Sequence, residues 1–149
     1  RSKGMATVVI HNRTGGASYA GTPLNMWILN PGFVPPDGVL GIDWTEDVIT
    51  WNNAPGNNLT SSRACSTTDA TKVATFNVPS SVAVGDAFSF TIPRLGDWIQ
   101  PDGSITVMIA QNAQANGGTF YSKEEPTLAA RRPKLVFEKA ANGTTLIIR

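Results

Sequence analysis

Phe88-Ser89-Phe90-Thr91-Ile92 places three apolar side chains at alternate positions with two hydroxyls between them. A strand sends successive side chains to opposite faces, so this stretch predicts a strand with one buried face and one wet face. The same period runs through the rest of the chain. Ile105-Thr106-Val107-Met108-Ile109 puts Ile, Val and Ile together, and Ala74, Phe76 and Val78 alternate with Thr75 and Asn77. Leu135 and Phe137 point opposite Lys134, Val136 and Glu138. Ala6 to Ile10 and Leu24 to Leu29 are apolar on both faces, as expected of strands covered on each side.

Between these runs lie segments with turn chemistry: Thr14-Gly15-Gly16, Asn30-Pro31-Gly32, Pro35-Pro36-Asp37-Gly38, Pro101-Asp102-Gly103 and Asn116-Gly117-Gly118. Pro fixes φ and Gly or Asn accepts positive φ, which is what a reversing backbone needs. Helix is scarce. Only Pro93 to Ile99 suits a single turn, with Leu95, Trp98 and Ile99 facing inward. Short strands with turns between them predict an all-β fold, an antiparallel β-sandwich of jelly-roll type with one short helical turn. The whole of 1–149 is expected to form one domain, long enough for a real core and too short for two.

Composition narrows the function classes. Apolar residues make up 41% and charged residues 15%, so polarity comes from Ser, Thr, Asn and Gly, a balance that suits an extracellular β-protein. Net charge is +1 with Lys and Arg scattered, which leaves no footprint for nucleic acid. No apolar run is long enough to span a bilayer as a helix. Cys65 is the single cysteine, so no intrachain disulfide forms, and a partly buried thiol is expected. Asn12, Asn58 and Asn142 each begin an Asn-x-Thr pattern.

Catalytic signatures are missing. His11 is the single histidine and its neighbours offer no partner for a base or metal site. There is no His-Glu-x-x-His, no Cys-x-x-Cys and no Gly-x-Ser-x-Gly. The carboxylates Asp43, Glu46 and Asp47, and Glu124 with Glu125, are read as turn caps and ion-pair partners; no catalysis is predicted. Trp27, Trp44, Trp51 and Trp98 could stack on sugar rings or pack in the core. Packing is the favoured reading for all four. Trp44, set among Asp43, Thr45 and Glu46, is the one best placed to keep an open face.

Two stretches carry a family resemblance. Trp44-Thr45-Glu46-Asp47-Val48-Ile49-Thr50-Trp51-Asn52-Asn53-Ala54-Pro55 resembles the mid-domain run of the DNRLRE (disaggregatase-related) domain, which overlaps carbohydrate-binding module family 96. Phe120-Tyr121-Ser122-Lys123-Glu124, then Arg132-Pro133-Lys134-Leu135-Val136-Phe137, resemble its closing segments in the same order. The likeness covers about 6–138. It implies that Trp44 and Trp51 anchor a long loop against the sandwich. Lys123 stands where the family usually has Arg, and Lys lacks the planar fork that grips a carboxylate twice.

The resemblance implies a secreted or cell-surface, non-catalytic module that attaches a larger protein to an acidic polysaccharide or the cell envelope. Trp44, Lys123, Arg131 and Arg132 are the candidate ligand contacts, with Lys134 a further cation. No cofactor is expected. A structural calcium ion would draw on loop carboxylates, Asp43 and Asp47 first and then Asp97 and Asp102, although no calcium-loop spacing is present. The family's opening strands have no counterpart here, and 139–149 extends the match by one turn and strand. A sandwich without its opening strands exposes an edge and core side chains, so completion by another protein segment or subunit is expected: a strand from a neighbouring subunit, an upstream piece of the same precursor, or the C-terminal strand folding back. The alternative function is accordingly a structural subunit of an extracellular filament, surface layer or adhesin.

Overall fold

A computed structural model of the protein describes residues 4–15, 20–33, 50, 54–58, 60, 65–111 and 119–138. Six strands form two three-stranded antiparallel sheets: β1 (Met5–His11), β2 (Pro23–Leu29), β3 (Ala70–Asn77), β4 (Ala87–Pro93), β5 (Val107–Gln111) and β6 (Lys134–Glu138). The first sheet has the order β4-β1-β6 and the second β3-β2-β5. Two short 3-10 turns, Leu95–Asp97 and Ala129–Arg131, are the helical elements among the described residues. None of these is long and apolar enough to cross a membrane. The Leu95–Asp97 turn follows β4 where the sequence predicts it, with Leu95 and Trp98 against the core, but Ile99 is 45% exposed. A 3-10 turn of this length rotates it away from the sheet.

The alternation in β4 is realised in full: Phe88, Phe90 and Ile92 are buried and Ala87, Ser89, Thr91 and Pro93 are exposed. These side chains meet Leu24, Met26 and Ile28 from β2, with Ile10, Val78 and Val82, in one core between the sheets. Phe76 of β3 stacks on Phe88 at 4.7 Å between ring centroids, and Phe120 meets Phe88 edge-on at 6.0 Å. Each such side chain fully buried contributes roughly 1.5–3 kcal/mol, so this layer dominates stability. In β3 the register shifts opposite Met26 and Trp27, and Val73 and Ala74 both pack against the core. An extra residue in one strand does this, at the cost of a local kink.

The expectation of strands covered on both faces holds for β2, where Leu24 to Leu29 are all buried. It does not hold for β1, whose outward residues Thr7 and Val9 are half-buried and whose Met5 is 38% exposed. The difference has a physical source. The outer face of β2 is roofed by the segment that follows it: Pro55, Gly56 and Cys65 are buried, and Cys65 packs with Trp27, Ala70, Met108 and Ala110. Asn30 ties the ends of this roof, donating Nδ2–H to Thr68 O (3.0 Å) and accepting from Thr71 Oγ1 (2.6 Å). No described segment roofs the outer face of β1. Burial pushes the Cys65 thiol up, so it stays protonated and inert.

Successive strands change sheets except between β2 and β3. This order is that of the last six strands of an eight-stranded jelly roll. The two positions such a fold would fill first lie beside β6 in one sheet and beside β5 in the other. β3 and β4 face each other and close one side of the sandwich. On the other side β6 is exposed at four of its five residues, including the inward-pointing Leu135 at 38%. The expected extra strand within 139–149 lies outside the described residues.

Candidate functional site

The described candidate residues gather at one end of β1. There Arg13 N–H donates to Thr119 O (2.8 Å) and Tyr121 N–H to His11 O (3.0 Å), and Asn12 bridges Phe120. Farther along β1, Val9 pairs with Lys134, the first residue of β6. Asn12 N–H points the other way, to Asp86 O near β4. Peptide groups alternate sides along a strand, so 119–121 and β6 occupy the same edge of β1. The stretch 122–133 is therefore an excursion from one interrupted strand, and it carries Lys123, Glu124, Glu125, Arg131 and Arg132.

Side chains close the neck of this excursion and stiffen its interior. Arg131 Nη1–H donates to Tyr121 Oη at 2.8 Å, and its guanidinium carbon lies 5.4 Å from that ring's centroid. Gly85, at φ +94°, makes room: a Cβ there would sit 2.8 Å from Arg131 Cζ. Arg132 donates Nε–H and Nη2–H to the carbonyl of Glu125 at 2.9 and 2.6 Å. The Glu125 carboxylate accepts from Thr127 Oγ1 (2.8 Å), Thr127 N–H (3.2 Å) and Leu128 N–H (3.3 Å). Those bonds, the Thr127 hydroxyl first, with a smaller contribution from the Arg13 charge, hold its carboxyl below the usual carboxylate range. Compact loops packed by their own side chains hold a shape of this kind without regular secondary structure.

The candidate cations thus divide by what they touch. Arg131 and Arg132 bind the loop to itself. Lys123 sits in the exposed turn with 63% of its side chain accessible, 3.6 Å from Glu124 Oε1. Lys134 is exposed at the start of β6. The loop thus presents an exposed positive charge on a frame held by its own hydrogen bonds. Trp44, Asp43 and Asp47 lie outside the described residues, as does Trp51. Trp27 is buried under the roof of the second sheet, and Trp98 is half-buried with its indole N–H on Pro93 O (3.2 Å). Both pack against core side chains.

The calcium candidates Asp97 and Asp102 have local partners. Asp97 pairs with Arg94 at 2.7 Å, and Asp102 accepts from Ser104 N–H at 2.9 Å, a bond that lowers its pKa. Among the described residues, no group of three or more His, Cys, Asp and Glu could hold a metal ion. His11 Nδ1 is buried and has no hydrogen-bond partner among the described residues.

Sequence reasoning missed the use of Asn12. Its side chain is fully buried and donates to Thr14 O (2.7 Å) and Ala83 O (2.8 Å) while accepting from Thr14 N–H (3.2 Å). A glycan cannot sit on that nitrogen in the folded chain. Asn58 folds onto Thr60, accepting from its amide and hydroxyl.

Fold and site together define an all-β domain of two antiparallel sheets, with a stiff, cation-bearing loop interrupting one sheet edge. The chain matches no protein-family model, no curated protein and no solved structure.

Proposed function

We propose that the chain is a non-catalytic, extracellular or cell-surface module that attaches a larger protein to an acidic polysaccharide, as its resemblance to DNRLRE and family-96 carbohydrate-binding domains implies. The observation that carries this reading is the excursion itself. Its frame is ordered before any ligand arrives, because Tyr121–Arg131 and Arg132–Glu125 hold it shut. Lys123 stands out from that frame with most of its side chain exposed. A pre-ordered loop loses little conformational entropy on binding, so even one exposed cation counts toward a repeating polyanion.

The test is mobility in native gels cast with alginate or another uronate polymer. The native protein should be retarded, and Lys123→Glu should remove the retardation without changing the melting temperature. Screening shortens the reach of the charge, so raising the salt from 0.01 to 1 M should weaken retardation steadily. Indifference to every uronate polymer would refute the proposal.

One further observation favours a second reading, a structural subunit of an extracellular assembly. The jelly-roll positions beside β6 and β5 are not filled by any described strand, and the apolar side chains next to them are exposed or half-buried. A protein segment that supplies the neighbouring strand would bury them. Under this reading the isolated chain associates through that side of the sandwich, whatever its affinity for sugar.

A further inference from the structure

Resting on the second reading, we infer that the edge of β6 that no described strand pairs is an interface for a second copy of this chain, joined antiparallel, β6 to β6, about a two-fold axis at Val136. The chemistry of the strand points to this partner. β6 reads Lys134-Leu135-Val136-Phe137-Glu138. Turned antiparallel on itself about Val136, it sets Lys134 opposite Glu138 of the other copy and Leu135 opposite Phe137, each pair occurring twice. Opposite charges and apolar side chains directly across from one another are the stabilising cross-strand pairs. A two-fold joint needs such a self-complementary patch.

The backbone is set for the same register. On β1, Arg13 N–H and His11 C=O point toward the β6 edge, so by alternation Val9, Thr7 and Met5 do as well. Their partners Lys134, Val136 and Glu138 then bond back to β1. Leu135 and Phe137 are left with their N–H and C=O groups directed at the open edge. The register centred on Val136 brings these residues together, Leu135 against Phe137 of the other copy, so every outward-pointing group of the strand finds a partner. A slip by one residue would place bonding groups opposite non-bonding ones.

The side chains have reason to associate. Leu135 is 38% exposed and Val136 48%, although Leu135 points to the interior side of its sheet, opposite Val8. Lys134 and Glu138 are exposed, and neither makes an ion pair among the described residues. Pairing would join two sheets into one of order β4-β1-β6-β6-β1-β4 and cover the strand on its bare edge.

The experiment uses the full chain. Sedimentation velocity over a concentration series should show a reversible monomer–dimer equilibrium. Lys134→Glu should raise the dissociation constant about thirtyfold, because two cross-strand pairs turn from attraction to repulsion. Glu138→Lys should do the same, and the double variant carrying both changes should restore the native value. Melting curves confirm that each variant folds.

Val136→Cys, in a Cys65→Ala background, should form an intermolecular disulfide on mild oxidation, since a non-hydrogen-bonded pair on the axis brings the two Cα atoms to roughly 4.5 Å. Amide exchange separates this inference from the reading beneath it. Slow exchange at Leu135 and Phe137 only in the dimer supports both. Slow exchange at those amides in a chain that stays monomeric overturns both, since the subunit reading requires association; association with fast exchange at those amides overturns the two-fold joint alone. Fast exchange with no association overturns both. A dimer insensitive to the charge exchange overturns the β6 joint.

Discussion

Gly56→Ala probes whether the segment after β2 is seated on the second sheet or merely near it. Gly56 is buried at φ +71°, and a Cβ there would come within 2.9 Å of both Leu29 Cδ1 and Met108 Cε. Two effects add. The left-handed backbone costs an alanine about 1 kcal/mol. Overlap with Leu29 and Met108 costs about 1–2 kcal/mol more, held down because both contacts are the far ends of flexible side chains. Gly32 is the control: its φ is +80°, yet a Cβ there would have nothing within 4 Å. Gly32→Ala should therefore lose about 1 kcal/mol and Gly56→Ala about 2–3, or roughly 3 °C against 6–9 °C in melting temperature for a domain of this size. Circular dichroism and tryptophan fluorescence melts read both. Adding Met108→Val to Gly56→Ala should return about 1 kcal/mol relative to the sum of the single changes, since it removes the overlapping sulfur and methyl. Equal losses at Gly32 and Gly56 would mean that the roof does not rest on β2 and β5 as described.

Two other perturbations test the frame of the site. Asn12→Ala deletes a buried amide that serves Thr14 and Ala83, leaving the Ala83 carbonyl without that donor; a loss of about 2–3 kcal/mol in urea unfolding is expected, and a neutral change would refute the tie. Glu125→Gln tests the acid limb. The folded-state pKa of Glu125 lies below its unfolded value, so its contribution is present above the unfolded value near 4.3 and is lost as pH falls through the folded one. Stability plotted against pH should therefore fall less steeply below about pH 4.3 in Glu125→Gln than in the native chain, and identical slopes would refute the role.

Alternation made most of the sheet legible from sequence. Phe88 to Ile92 alternates without interruption, and its inward and outward residues fall where the period puts them. Leu135 and Phe137 show the same period, yet Leu135 is exposed. Period reports which way a side chain points; whether anything covers it depends on an opposing layer that the strand's own residues do not encode. Within Ala6 to Ile10, Thr7 and Val9 failed for the same reason in reverse, since a largely apolar run looks like one covered on both faces. The site was half legible. The turn-capping reading of Glu124 and Glu125 fits Glu125, which accepts from Thr127 and Leu128, but the neck closed by Tyr121 and Arg131 joins residues separated by a whole excursion. So does the Asn12 contact to Ala83, which spans 71 positions. Long-range side-chain bonds of this kind leave no local pattern. Arg131 and Arg132 stand in sequence as candidate ligand contacts or structurally paired charges, and nothing in the local pattern identifies Tyr121 Oη and the Glu125 carbonyl as their acceptors.

The cation-bearing excursion and the proposed joint share one edge of β1, and this links the two functional readings. The excursion ends at Arg132 and Pro133, immediately before Lys134, so it stands at the first residue of β6. In an antiparallel β6–β6 joint the two strands run in opposite directions, and the two excursions lie at opposite ends of the shared strand pair. Five residues of strand at about 3.4 Å each place them at least ~17 Å apart. A monomer offers one Lys123 to a polyanion; the two-fold pair offers two on a rigid spacing, so the second contact is made at high effective concentration. Weak single-site binding is then sufficient for firm attachment to a polymer that repeats its charge. The charge exchange at Lys134 and Glu138 touches neither Lys123 nor the bonds that hold the excursion. Retardation in a uronate gel that falls with Lys134→Glu and returns with the double variant would thus trace avidity to the joint.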